Sequence, residues 1–198
     1  TAQSIGVLKL SSRPTNLIKK IAFIAAAIAP SGGTLVYANG AAEAEDVAFL
    51  IGQIGSLSPT ETSLDPELEA LADLARKGVH RAYLLAPLVE RGVAFHYGNM
   101  PSLIRTEIER LFRSGKLRFL VCTSTLIEGV NLSCRTIVVR GPRKGRGKPM
   151  EPHDFWNLAG RAGRWGDEFQ GNIICIDPAN PEAWPSGVPA RARYPIRR

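Results

Sequence analysis

Residues 157–164 read Asn157-Leu158-Ala159-Gly160-Arg161-Ala162-Gly163-Arg164, with two arginines three positions apart. Arginine stays charged at any working pH and donates in a planar fork that matches phosphate oxygens. At a spacing of three on one helical turn, both guanidinium groups face the same way. Ala162 and Gly163 between them are small and let another surface approach. Such a pair suits the oxygens of a transferring phosphoryl group. A basic turn with two solvated side chains has the same spacing, so the arginines alone do not choose between the two readings.

Three further stretches decide it. Upstream lie Val121-Cys122-Thr123-Ser124-Thr125-Leu126-Ile127-Glu128-Gly129-Val130-Asn131-Leu132, then Gly92-Val93-Ala94-Phe95-His96-Tyr97-Gly98-Asn99-Met100-Pro101, then Thr34-Leu35-Val36-Tyr37-Ala38-Asn39. Gly160–Arg164 resembles motif VI of the superfamily-two helicases, and the other three resemble motifs V, IVa and IV in the family's order. The wording of residues 92–101 and 125–132 is similar to the Ski-like DExH branch. Two positions depart from that branch: Asn157 stands where it usually has Gln, and Ser133 where it usually has Pro. Asparagine keeps the amide and loses one methylene of reach.

The resemblance implies an α/β fold: the second RecA-like domain of a helicase, three layers deep, with a mainly parallel central sheet and helices on both faces. It implies that Arg161 and Arg164 act as arginine fingers, and that Gly129, Asn131, Asn157 and Gly160 lie at the ATP site. It also implies that Asn39, His96, Gly98, Thr123, Ser124 and Thr125 line a groove for single-stranded or junction DNA or RNA. Arg143, Lys144 and Arg146 fall where Ski-like helicases carry a strand-separating β-hairpin. Their segment, residues 140–152, is rich in glycine and proline, and by composition reads as a flexible basic loop more than a stiff hairpin.

The phosphate-cradling loop GxxxxGK[ST] of the family is missing. The nearest lookalike, Gly141-Pro142-Arg143-Lys144-Gly145-Arg146-Gly147-Lys148, has the wrong glycine spacing and is followed by Pro149. ATP and Mg²⁺ are therefore expected to be bound jointly with an N-terminal RecA-like domain that is not in this chain. The full-length protein is expected to be an ATP-dependent helicase and this fragment alone to be inactive. A non-hydrolysing nucleic-acid-binding module derived from such a domain is the other reading. An unrelated α/β enzyme has no GxGxxG or GxSxG motif in support.

Composition agrees. The 198 residues are 44% hydrophobic, enough for one packed domain; residues 1–180 are expected to form it, with 181–198 a Pro/Arg-rich tail or linker. Charge is uneven. Residues 1–134 carry 13 basic and 12 acidic side chains, and residues 135–198 carry 12 and 6, which suggests a polyanionic partner or a basic tail. Three cysteines without CxxC spacing read as buried free thiols, and a cytoplasmic, membrane-free setting is expected.

Helical periodicity predicts helices from 17 to an end at Pro30, over 41–51, 66–77 (closed by Gly78) and 101–114, the last with Leu103, Ile104, Ile108, Leu111 and Phe112 inward. Residues 83–91 read as helical or turn-like, and 52–66 as a turn-rich connection. Short apolar runs predict strands at 34–37, 93–95, 119–122, 136–140 and 173–176. Strands alternating with helices imply a parallel sheet covered on both faces. Ligands in such sheets sit beyond the carboxyl ends of the strands. Asn39, His96, Gly98 and Thr123 each follow a strand. Thr123–Thr125 offer hydroxyls and amides at a strand-to-helix turn, as phosphate ligands or as a helix N-cap. His96 reads either as a satisfied strand-end residue or as one ordering the groove loop.

Overall fold

The computed structural model describes residues 14–28, 33–55, 65–125, 132–145, 147–163 and 171–190. Five strands form one sheet: β1 (Thr34–Tyr37), β2 (Val93–His96), β3 (Phe119–Cys122), β4 (Thr136–Val139) and β7 (Asn172–Cys175), in the order β2-β3-β1-β4-β7. Every neighbouring pair is parallel, with Thr34 level with both Phe119 and Thr136. β1 to β4 are buried at every residue, as expected where helices cover both faces of a parallel sheet. This is the RecA-like α/β arrangement expected from the sequence.

The helices are α1 (Leu17–Ile28), α2 (Ala41–Gly55), α3 (Pro66–Gly78), α4 (Leu85–Val89), α5 (Ser102–Arg113) and α6 (Pro152–Ala159). The chain leaves β1 leftward over β3 to reach β2, then moves rightward from β2 onward. Right-handed crossovers therefore set α2 on one face and α5 and α6 on the other. α3 starts at Asp65, whose Oδ1 accepts from the Glu67 N–H at 2.9 Å, with Pro66 at the first helical position. That pair satisfies one orphan donor and removes another.

Four local expectations change. Helix α2 continues through Gly52 to Gly55, past the point where turns were expected. A Cβ on Gly52 would lie 2.7 Å from Leu88 Cδ2, so the glycine lets α2 and α4 touch, offsetting its poor helix propensity. Gly78 is the last residue of α3 and Val79 takes the cap position, with φ −121°. Leu103 is not inward: it is 58% exposed, while Ile104, Ile108, Leu111 and Phe112 are buried. Residues 140–152 are not a loose loop, because β5 (Arg143–Lys144) pairs antiparallel with β6 (Lys148–Pro149).

Packing continues past residue 180, where a tail was expected to begin. Ala183 and Trp184 are buried. Trp184 stands edge-on to Phe155, with ring centroids 6.0 Å apart, and its indole N–H donates to the Ile176 carbonyl at 3.0 Å. Residues 191–198 lie outside the described residues.

Candidate functional site

All five parallel strands end at one edge of the sheet, where the loops after β2 and β3 meet and those after β1 and β4 meet. Gly98, after β2, faces Thr125, after β3; a Cβ on Gly98 would lie 3.1 Å from Thr125 Cγ2. The Thr123 and Thr125 hydroxyls are 3.1 Å apart. Thr123 and Ser124 are partly exposed and Thr125 is exposed. Hydroxyls grouped this way at a strand end suit the oxygens of a nucleic-acid backbone.

His96 is the last residue of β2 rather than a residue beyond it, and only 2% of it is exposed. Its Nε2 lies 3.0 Å from Glu109 Oε1 of α5, and its carbonyl accepts from the Thr123 N–H at 3.2 Å. Burial pushes its pKa down, against the pull of the Glu109 carboxylate, so the ring is neutral near pH 7. It braces the Thr123 turn from beneath and does not reach the surface. Tyr97 donates from its hydroxyl to Glu45 Oε1 at 2.6 Å and stacks on Phe95; burial, ahead of the nearby carboxylate, raises its pKa.

Asn39 follows β1. Its Oδ1 accepts from the Arg143 N–H at 2.7 Å, so half of its amide is engaged within the domain. Beside it, the Tyr37 hydroxyl donates to the Arg143 carbonyl at 2.6 Å. The Arg143 guanidinium donates to the carbonyls of Gly147 at 3.0 Å and Glu182 at 3.3 Å. Lys144 Nζ lies 3.1 Å from both oxygens of Asp154 on α6. The basic residues expected to meet nucleic acid therefore also stiffen the hairpin. At the same edge Asp177 accepts from Arg140 Nε at 2.7 Å and pairs with Lys20. Those two cations hold its carboxyl below the usual range although burial opposes them.

Arg161 is elsewhere. Its carbonyl accepts from the Cys134 N–H at 3.0 Å, and the Gly163 N–H donates to the Cys134 carbonyl at 3.0 Å. Ala162 and Cys134 thus form an isolated parallel bridge. Cys134 precedes the first residue of β4, whereas Thr123 follows the last residue of parallel β3. The backbone of Arg161 is thus tied to the segment leading into β4, while its guanidinium is in electrostatic reach of Cys122, the last residue of β3. The guanidinium is half-buried; burial lowers its pKa, and the Cys122 and Cys134 thiols oppose that shift. Gly160 and Asn157 are exposed. Gly163 adopts φ 91°, a conformation natural to glycine, and brings the turn against Gly171. Gly129, Asn131, Arg146 and Arg164 lie outside the described residues, as does Glu128.

Comparison with known proteins fits this geometry. The profile of the helicase conserved C-terminal domain matches residues 72–166. The chain is 34% identical over 119 residues to the antiviral helicase SKI2 of Saccharomyces cerevisiae, covering 56% of this chain and 9% of that protein. The chain carries the C-terminal domain of a superfamily-two helicase. It is related to the Ski-like helicases. The helicase domain is also similar to anti-bacteriophage protein B of Escherichia coli K12, at 32% identity over 144 residues, 73% of this chain and 19% of that protein. A probable helicase, HelY of Mycobacterium tuberculosis, is 34% identical over 113 residues, 54% of this chain and 12% of that protein. The chain thus spans less than a fifth of the length of each of these relatives.

Among the described residues no group of three His, Cys, Asp or Glu side chains could hold a metal ion, and no helix is long and apolar enough to cross a membrane. Sequence reasoning missed Tyr37, Asp154 and Glu182, whose roles rest on partners distant in the chain. It also missed Gly171, whose signal was only its glycine identity.

Proposed function

We propose that this chain is the C-terminal motor domain of an ATP-dependent nucleic-acid helicase or translocase. In this reading Thr123, Ser124, Thr125, Gly98 and Asn39 hold the backbone of a DNA or RNA strand at one end of the sheet. Arg161 and Arg164 reach to the γ-phosphate of ATP held mainly by a partner RecA-like domain of the same protein. Asn157, Gly160, Gly129 and Asn131 complete this domain's side of that cleft. Mg²⁺, when bound, neutralises charge on the transferring phosphoryl group, and acidic side chains of the partner domain would carry it.

The observation that carries the reading is the placement of the two chemistries. The hydroxyl cluster follows β3 and the Arg161 turn is bonded to Cys134 just ahead of β4, so both are tied to strands of one sheet. When the cleft holds ATP, Arg161 and Arg164 bridge the two domains. Loss of the γ-phosphate removes that bridge, and the sheet transmits the change to the turn that grips the strand. The grip is to backbone, so it carries little base preference.

The test is ATP turnover by the full-length protein with and without single-stranded DNA and RNA at fixed salt, in the wild type and in Arg161→Ala and Arg164→Ala. Stimulated turnover should fall by roughly 10³-fold in the variants, with strand binding largely kept. Wild-type turnover in both variants would sink the finger assignment. Absent turnover in the wild type, with binding intact, would favour a non-hydrolysing binding module.

Two relatives are named for antiviral or anti-bacteriophage work. Those names support foreign nucleic acid as the motor's track. Viral challenge of cells carrying Arg164→Ala in place of the wild type checks this, and undiminished resistance would reject it.

A further inference from the structure

The β5–β6 hairpin has every compositional reason to be loose. It is two residues to a strand, contains Pro149, and turns through Gly145 and Gly147 at φ 60° and 76°. An isolated two-stranded ribbon is marginal in water. Here its base is held from three sides. From β1, the Tyr37 hydroxyl donates to the Arg143 carbonyl at 2.6 Å, and Asn39 Oδ1 accepts from the Arg143 N–H at 2.7 Å. From α6, Asp154 takes Lys144 through both oxygens. From the C-terminal segment, the Glu182 carbonyl takes the Arg143 guanidinium. The Met150 N–H closes the base onto the Pro142 carbonyl at 2.8 Å.

The β1 anchors matter most for motion. β1 is the central strand of the sheet, paired on both sides, and Tyr37 is 2% exposed. Asn39 stands at the end of that strand, and its N–H donates to Glu43 Oε2 in the first turn of α2 at 3.1 Å. One residue, Arg143, is therefore gripped at both its N–H and its carbonyl by residues on and just after the central strand of the sheet. The turn glycines, Lys148 and Pro149 stay exposed.

We propose that Tyr37 and Asn39 are positioning residues that lock the β5–β6 hairpin to the strand-holding edge of the sheet, so that hairpin and edge move as one rigid unit. This rests on the motor reading above for its consequence, though not for its geometry. A hairpin fixed to the edge that travels along a strand meets the duplex ahead at a constant offset. A hairpin on a soft tether would yield instead, and travel would no longer force strands apart. The inference separates two outputs: travel depends on the edge and the arginines, and strand separation depends in addition on the brace.

The experiment uses the full-length protein. Amide hydrogen exchange across residues 143–150 is compared in the wild type, Tyr37→Phe, Asn39→Ala and Asp154→Ala. Tyr37→Phe removes only a hydroxyl, and Asp154→Ala tests the partly buried α6 brace. Each lost bond should speed exchange by about three- to tenfold. Duplex separation should fall about tenfold or more in Tyr37→Phe and Asp154→Ala, while strand-stimulated ATP turnover in both stays within about twofold. Unchanged exchange in Tyr37→Phe and Asn39→Ala overturns the brace. Faster exchange with undiminished strand separation overturns its coupling role. If the wild type shows no strand-stimulated turnover, the motor reading fails by itself, and the exchange data alone then uphold or overturn the brace.

Discussion

Replacing Gly171 by alanine should damage both stability and turnover, and the structure says why. The glycine precedes β7 and lies against the turn that carries Arg161. A Cβ there would sit 2.1 Å from Gly163 N, 2.4 Å from the Ala162 carbonyl carbon and 2.7 Å from Gly163 Cα. All three are backbone atoms, and the turn cannot yield freely because Cys134 holds it at the Arg161 carbonyl and the Gly163 N–H. Reaching ordinary contact distance, about 3.5–4 Å, requires an opening of more than about 1 Å. Overpacking of this kind costs about 1–3 kcal/mol. In a domain of this size that corresponds to a Tm lower by roughly 2–12 °C. A displacement of about 1 Å in a group placed for chemistry costs on the order of 100-fold in rate, and Arg161 and Arg164 flank the displaced atoms. Thermal unfolding and strand-stimulated ATP turnover are measured beside Gly78→Ala, where nothing lies within 4 Å of the added Cβ. The control should be neutral or gain up to about 1 kcal/mol from helix propensity. A Gly171→Ala protein with wild-type Tm and turnover would refute the close approach.

Two further outcomes follow from burial. The folded state holds His96 neutral with a lowered pKa, so below about pH 6.5 the unfolded chain takes up a proton that the folded one resists. Stability should therefore drop between pH 7 and 5 more steeply in the wild type than in His96→Gln, followed by denaturant unfolding; parallel slopes would contradict it. Ile104→Ala should cost about 2–5 kcal/mol, whereas Leu103→Ala, one residue away and 58% exposed, should stay within about 0.5 kcal/mol; equal losses would mean that the phase of α5 is wrong.

Strands β1 to β4 were legible because they are short, apolar and buried on both faces, which writes each one as a continuous hydrophobic run, and β7, though only partly covered, still carries one. The helices were legible in place but less so in phase. Leu103 adjoins the Ile104–Ile108–Leu111 stripe in sequence, yet 100° of helical rotation carries it out to solvent. The hairpin was misread because glycine and proline report local freedom, and the bonds that remove it come from Tyr37, Asn39 and Asp154. The C-terminal-edge rule gathered Asn39, His96, Gly98 and Thr123 correctly, but it could not tell that His96 would be covered by α5 and Glu109. The anchoring of the Arg161 turn ahead of β4 depends on its bridge to Cys134, which no spacing announces.

The three cysteines have a practical corollary for optical work. Cys122 and Cys134 are buried, and burial raises both thiols, Cys134 to about 12; Cys175, half-covered on β7, is pushed up to about 11. Thiolate is the form that alkylating reagents attack, so all three native sulfurs are kinetically quiet at neutral pH. A single cysteine introduced by Lys148→Cys, on the exposed hairpin, would take a maleimide dye ahead of them. The domain is thus already as good as cysteine-free for fluorescence, with no native thiol needing to be stripped from its core.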